Sequence, residues 1–140
     1  DFLKNKEHSL SNSAIIMLDI DKFKLINDKF GHSFADSVLK YVSGMIKRYI
    51  RSSDVVARYG GDEFIILMDN VTKPVVEDIA HRIQKKVSDS LFYNAQCTVS
   101  IGVCWMNLGG NISLNDAIAV ADKFMYIAKQ SGGNAVKICA

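Results

Sequence analysis

Arg58-Tyr59-Gly60-Gly61-Asp62-Glu63-Phe64 is the stretch on which the rest of the chain is organised. Asp54-Val55-Val56-Ala57 precedes it, and Phe64-Ile65-Ile66-Leu67-Met68 continues it. Two strand-like runs joined through Gly-Gly-Asp read as a β-hairpin, because glycine tolerates the positive φ that a tight turn demands. The tip carries two carboxylates on a backbone that a bulky ligand can approach closely. A purely structural hairpin has no need of them there.

Working outward, Ala14-Ile15-Ile16-Met17-Leu18 is a short apolar run ending in Asp19-Ile20-Asp21. It suits a central strand buried on both faces. Asp21 has the position of a helix cap, which explains one aspartate but not both. Lys22 to Asp28 reads as a short helix stopped by Gly31-His32. A second helix is expected from about Ser33 to Ile50, with Val38, Leu39, Val42, Met45, Ile46, Tyr49 and Ile50 on its core face. Asp36 lies in its first turn, where a carboxylate contributes roughly 0.3–1 kcal/mol. Asn27 has the position of a turn residue.

Arg51-Ser52-Ser53-Asp54 reads first as a solvated loop with a weak ion pair. Beyond the hairpin, Asp69 to Pro74 is a turn. A third helix is expected from about Val75 to Leu91, with the stripe Val75, Ile79, Ile83, Val87 and Leu91 and with Arg82 beside it. Ala95 to Trp105 alternates, Cys97, Val99, Ile101 and Val103 against Thr98, Ser100 and Gly102, as in a strand with one covered face. Asn107 to Asn111 is a loop. Ser113 caps a fourth helix carrying Leu114, Ala117, Ile118, Ala121, Phe124, Met125 and Ala128 inward and Lys129 in its last turn. Ala135 to Ile138 is a final strand.

The resulting order is strand, helix pair, hairpin, helix, strand, helix, strand. It predicts an α/β (α+β) fold with a central mixed β-sheet wrapped by helices. The first strand beside the hairpin brings Asp19 next to Asp62.

The chain has 140 residues, a net charge of +2 and one proline, Pro74. That length suits one domain, and the charge does not argue for nucleic acid or a membrane surface. There is no bilayer-spanning apolar run, signal-peptide pattern or internal repeat. The three cysteines, Cys97, Cys104 and Cys139, lack metal-ligand spacing and read as reduced thiols of a cytosolic protein. The polar opening through Ser13 suggests a piece of a longer protein, with Phe2 and Leu3 ending an earlier helix.

Two carboxylates converging from different strands repel unless a cation sits between them. With no His or Cys cluster, a hard ion with oxygen ligands, Mg²⁺ or Mn²⁺, fits best, and such ions share their remaining sites with substrate phosphates. A pair of them stabilises both oxygens of a phosphoryl transfer. Lys24 and Lys129 are candidate phosphate contacts, as are the free N–H groups near Lys22 and Phe23 at a helix start. Asn27 and Asp36 offer an amide and a carboxylate, and a carboxylate accepts well from the N1–H and exocyclic amine of guanine. The residues alone therefore point to metal-dependent nucleotidyl or phosphoryl transfer on a nucleoside triphosphate.

The sequence resembles the GGDEF-domain diguanylate cyclases. Beside the hairpin, the resemblance rests on Leu18-Asp19-Ile20-Asp21-Lys22-Phe23-Lys24, Ile26-Asn27-Asp28, Gly31-His32, Asp36-Ser37-Val38-Leu39, Val99-Ser100-Ile101-Gly102-Val103, and Ala121-Asp122 through Tyr126-Ile127-Ala128-Lys129, in the family's order and spacing. It covers essentially the whole chain, as a single GGDEF domain over residues 1–140. It implies a fold related to nucleotide cyclases and polymerase palms. It also implies condensation of two GTP into cyclic di-GMP with release of pyrophosphate, across two facing monomers. By the same resemblance Asp19, the Ile20 carbonyl and Asp62 hold the metals, and Glu63 assists there and in activating the hydroxyl. Gly60 and Gly61 let the backbone close on the phosphates. Asn27 and Asp36 read guanine, and Lys24, Phe23 and Lys129 serve the phosphates. Arg51, Asp54 and Arg82 match an inhibitory site for the product. An N-terminal sensory or dimerising domain is implied in the full-length protein, with this domain in the cytoplasm even where the protein is membrane-anchored.

Three departures from the family pattern stand out. Ala35 replaces a glycine before Asp36, Gly133 replaces an arginine, and only Phe2-Leu3-Lys4-Asn5-Lys6 echoes the opening block. The Gly133 change motivates a second expectation, a catalytically weak module that binds GTP or cyclic di-GMP and regulates a partner domain.

Overall fold

In a computed structural model of the chain, the structure describes residues 12–92, 95–107 and 112–139. The opening block and the middle of the loop after Asn107 lie outside the described residues. Strand β1 (Ser13–Ile20) is followed by helices α1 (Phe23–Phe30) and α2 (His32–Tyr49), the hairpin β2 (Val55–Arg58) and β3 (Glu63–Asp69), and α3 (Lys73–Ser88). The short strands β4 (Leu91–Phe92) and β5 (Ala95–Gln96), then β6 (Val99–Met106), α4 (Leu114–Gln130) and β7 (Ala135–Cys139), complete the order.

The main sheet has five strands in the order β2-β3-β1-β6-β7. Its pairs are antiparallel except β6 with β7, which run parallel, so the sheet is mixed. β1 is central and buried at every residue. That explains its unbroken apolar run: both faces are covered by helices. On one face Ala14, Ile16, Leu18 and Ile20 pack with Val38, Val42 and Ile46 of α2 and with Val76, Ala80, Ile83 and Val87 of α3. On the other, Ile15 and Met17 meet Ala117, Ala121 and Met125 of α4.

The third helix differs from expectation. It starts at Lys73 and ends at Ser88, with Pro74 in its first turn, and Leu91 belongs to β4 instead. Its buried positions are Val76, Ala80, Ile83 and Val87, while Val75 is 49% exposed. A strict i, i+4 repeat drifts by about 40° per step on a helix of 3.6 residues per turn. Val75 thus lies about 80° from Ile83 around the axis, and Val76 only about 20°. The strand expected over 95–105 is interrupted at residues 97–98 and is not one-sided: Ser100, Gly102 and Cys104 are buried as well as Val99, Ile101 and Val103. α4 covers the polar side because Gly102 lets its backbone approach; a Cβ there would overlap the Ala121 carbonyl and the Met125 amide.

Ser113 caps α4 as expected, its side chain accepting from the Asp116 N–H at 3.1 Å. α1 and α2 meet at Gly31, whose φ of +89° turns the chain between them.

Candidate active site

The register of the central strands builds the site. Asp19 on β1 is the cross-strand partner of Glu63 on β3 and of Ser100 on β6. One step further, the Ile20 N–H donates to the Asp62 carbonyl at 3.1 Å. The hairpin tip is therefore sewn to the end of the buried strand, and the two predicted carboxylate positions converge.

The Asp19 side chain is buried beneath α4. Its Oδ2 is 2.7 Å from the Lys129 ammonium, and its Oδ1 is buried without a hydrogen-bond partner. Burial pushes the Asp19 carboxyl up to about 7; Lys129 pulls it down, and the neighbouring Asp62 carboxyl pushes it up again. Glu63 is also raised, first by burial and then by the charges of Asp62 and Asp122. The site thus contains acidic groups held against their preference for water, with one lysine offsetting part of the cost.

That arrangement fits a hard cation. Among the described residues no three His, Cys, Asp or Glu side chains converge. The groups that could hold a cation are the Asp19 and Asp62 carboxylates with main-chain oxygen at the end of β1, since Mg²⁺ is commonly held by one or two carboxylates with substrate phosphates completing its shell. An orphaned buried oxygen on Asp19, with an ammonium on the other oxygen, marks a place where positive charge is favoured.

The tip itself differs from expectation in one respect. The glycines with positive φ among the described residues are Gly31, Gly132 and Gly133, so Gly60 and Gly61 do not need left-handed backbone. At Gly60 a Cβ would sit 2.6 Å from Glu63 Oε1, so a larger residue there would push the Glu63 carboxylate aside. Gly61 faces open space, where a Cβ would meet nothing within 4 Å. The Tyr59 N–H closes the turn on the Glu63 carbonyl at 2.8 Å. Arg58, which sequence reasoning left without a role, donates from Nη2 to the Gly61 carbonyl at 2.7 Å and from Nε to both glycine carbonyls.

Asp21 is neither a helix cap nor an open ligand. It accepts from Thr98 Oγ1 at 2.7 Å, Ser100 Oγ at 2.6 Å and the Asn134 N–H at 2.8 Å. The start of α1 has no side-chain cap, and Lys22 takes a left-handed φ of +55°. The N–H groups at Phe23 and beyond are therefore not capped by a side chain. Asn27 lies in α1, and its side-chain Oδ1 is buried without a partner. Asp36 is exposed early in α2, one residue after the buried Ala35. Lys24 is exposed on α1.

Arg51 and Asp54 come together, but not as a loose pair. Asp54 accepts from Arg51 Nη2 at 2.8 Å and from the Arg51 N–H at 2.7 Å. The same guanidinium donates to the carbonyls of Asp69 at 2.6 Å and Asn70 at 3.2 Å, tying the base of the hairpin. Arg82 pairs with Asp78 at 2.9 Å and lines a groove with Tyr49, Lys85 and Lys86.

Comparison with known proteins gives this geometry a family. Residues 2–135 match the family model described as diguanylate cyclase, GGDEF domain. The chain is 40% identical over 129 residues to diguanylate cyclase A of Treponema denticola, covering 89% of this chain and 34% of that protein. It is 38% identical over 130 residues to diguanylate cyclase DosC of Escherichia coli, covering 89% of this chain and 28% of DosC. It thus spans about a third of the length of these curated relatives. The fold superposes on the GGDEF domain of DgcB from Caulobacter crescentus, solved in complex with c-di-GMP, with a TM-score of 0.87 and 30% identity, over 96% of this chain and 81% of that one. The active GGEEF domain of a diguanylate cyclase from Vibrio cholerae gives a TM-score of 0.88 and 30% identity, over 98% and 88% of the two chains. With Asp19, Asp62 and Glu63 brought together by the sheet register, the chain belongs to the diguanylate cyclase GGDEF-domain family.

Proposed function

We infer that this chain is the catalytic domain of a diguanylate cyclase, condensing two GTP into cyclic di-GMP with release of two pyrophosphates. The observation that carries the reading is the convergence of Asp19 and Asp62, with a buried Asp19 oxygen lacking a partner and Lys129 on the other. Asp19, the Ile20 carbonyl and Asp62, with Glu63 beside them, would hold Mg²⁺ or Mn²⁺. A pair of such ions, when bound, stabilises the charge on the attacking and leaving oxygens of the phosphoryl transfer.

The chain's own residues do the rest. Asn27 Oδ1, a buried acceptor without a partner, and the Asp36 carboxylate receive the guanine N–H groups. The uncapped start of α1 at Phe23, with Lys24 and Lys129, places positive charge along the phosphates. Gly60 and Gly61 admit them close to the backbone. Glu63, raised by burial, is suited to take the proton of the attacking 3′-hydroxyl. One copy binds one GTP, so each 3′-oxygen attacks the α-phosphorus held by a facing copy and each pyrophosphate leaves. A homodimer, set by an N-terminal sensory domain in the full-length protein and with this domain on the cytoplasmic side, completes the site.

Incubation with GTP and Mg²⁺, with and without forced dimerisation, is expected to yield cyclic di-GMP, and Asp62→Ala is expected to lower turnover by at least ~100-fold. No product under either condition sinks the reading. Measurable GTP or cyclic di-GMP binding without turnover favours the sensor module, which the Gly133 departure motivates. Arg51, Asp54 and Arg82 are assigned to product feedback. Arg51→Ala should relieve inhibition by added cyclic di-GMP, and because Arg51 also ties the hairpin base, thermal stability should drop by about 1 kcal/mol. An unchanged inhibition curve in that variant counts against the assignment.

A further inference from the structure

β6 and β7 are the parallel pair of the sheet, and in their register Cys104 faces Cys139 directly. Register partners on neighbouring strands project their side chains to the same face and lie about 4.8 Å apart. That spacing falls within the roughly 4.4–6.8 Å that a disulfide spans between Cα atoms. Cys104 is 2% exposed and packs with Ile15, Met17, Ala117 and Ala121 beneath α4. Cys139 is half-buried on the edge strand. The two groups sense each other, since the charge of Cys139 adds to burial in raising the Cys104 thiol to about 11. Cys97 lies in the other core cluster, on the opposite side of the sheet.

We propose that Cys104 and Cys139 are a redox-responsive dithiol that closes to an intramolecular disulfide, stapling the edge strand β7 to β6, with a peroxide or a small disulfide as oxidant. The order of steps follows from exposure. Cys139, the more accessible thiol, attacks the peroxide as its thiolate; an S–O bond forms, the O–O bond breaks and hydroxide leaves, giving a sulfenic acid. The Cys104 sulfur then attacks the Cys139 sulfur; the S–S bond forms and the sulfenic oxygen leaves as water, taking the Cys104 proton. Two thiols and one peroxide become one disulfide and two waters. The bridge lies close in sequence to the turn that supplies the Asn134 N–H to Asp21, so it restrains the strand leaving that turn. It does not depend on the enzymatic reading.

The test treats the 140-residue chain with hydrogen peroxide, alkylates the remaining thiols and maps peptides by mass. The expected result is loss of two hydrogens, one linked peptide containing Cys104 and Cys139, and alkylation at Cys97 alone. The melting temperature should rise by several degrees, because the closed loop is long, and dithiothreitol should reverse the rise. Cys139→Ser should abolish both the bridge and the shift, while Cys97→Ser should keep both. Three alkylated cysteines after oxidation, or bridges found only between chains or through Cys97, would overturn the proposal.

Discussion

Two aspartates stand two residues apart where β1 ends, and their surroundings are opposite in kind. Asp21 has three donors on its two oxygens, from Thr98, Ser100 and the Asn134 backbone. Asp19 has one ammonium on one oxygen, no partner on the other, and a second carboxyl beside it. A half-buried carboxylate with both oxygens hydrogen-bonded is architecture: it holds the turn after α4 against β1. A buried carboxylate left partly unsatisfied costs stability, and it persists where something outside the chain completes it. The contrast, rather than either residue type, separates fold from site.

Exchanging the two carboxylates tests that contrast with the largest effects. Asp19→Asn removes a charge that burial disfavours. It should raise the melting temperature of the metal-free protein by a few degrees, about 1–2 kcal/mol, while cutting turnover by at least ~100-fold. Asp21→Ala should do the reverse. It strands the fully buried Ser100 hydroxyl and frees the Asn134 N–H, at a cost of about 2–4 kcal/mol and a fall of roughly 5–10 °C, with turnover of the folded fraction changed only a few-fold. Thermal melts and GTP turnover on both variants decide it. Loss of activity without loss of stability in Asp21→Ala would reverse the roles assigned.

The sequence makes Asp19 legible but not Asp21, for a physical reason. A five-residue apolar run rich in isoleucine suits a buried strand, and a Gly-Gly-Asp hairpin can pair beside it, so the approach of Asp19 to Asp62 is legible from local patterns. The role of Asp21 depends on Thr98 and Ser100, more than seventy residues away, and on a backbone N–H that no sequence pattern displays. The same limit hid the role of Gly102, which admits α4, and that of Arg58, which holds the hairpin tip. It also hid the exact phase of α3, where strict i+4 counting holds Ile79, Ile83 and Val87 on the core side but drifts off it at Val75. Local periodicity shows which elements form; cross-chain contacts decide which polar residues they consume.

A pH titration sharpens the comparison with a moderate effect. Burial pushes the Asp19 carboxyl from its ordinary 3.8 up to about 7. Because the folded-state value is raised, its unfavourable contribution to stability is absent below about 4, grows as pH rises and is complete above about 7. A cation binds only the ionised form, so protons compete with it. Mn²⁺ affinity should be about tenfold weaker at pH 6 than at pH 8, and Asp19→Asn should bind weakly with a flat profile. A flat profile in the unaltered protein would mean that Asp19 does not control the cation.

The smallest effect lies at Gly133, where the family's usual arginine is missing and which borders the satisfied aspartate. Its φ is +76°, and a Cβ would sit 2.9 Å from Asp21 Oδ2 and 3.1 Å from Oδ1. Glycine there lets the chain close on Asp21 and present the Asn134 N–H. Gly133→Ala should therefore cost about 1–2 kcal/mol through backbone conformation and crowding, leaving the KM for GTP unchanged. Gly133→Arg carries the same backbone cost but adds a cation near the site, and should lower that KM by ~3–10-fold. The two variants separate charge from conformation. A lower KM in both would show that the turn, not the lost guanidinium, limits GTP binding, and Asp21 would then belong to the site as well as to the fold.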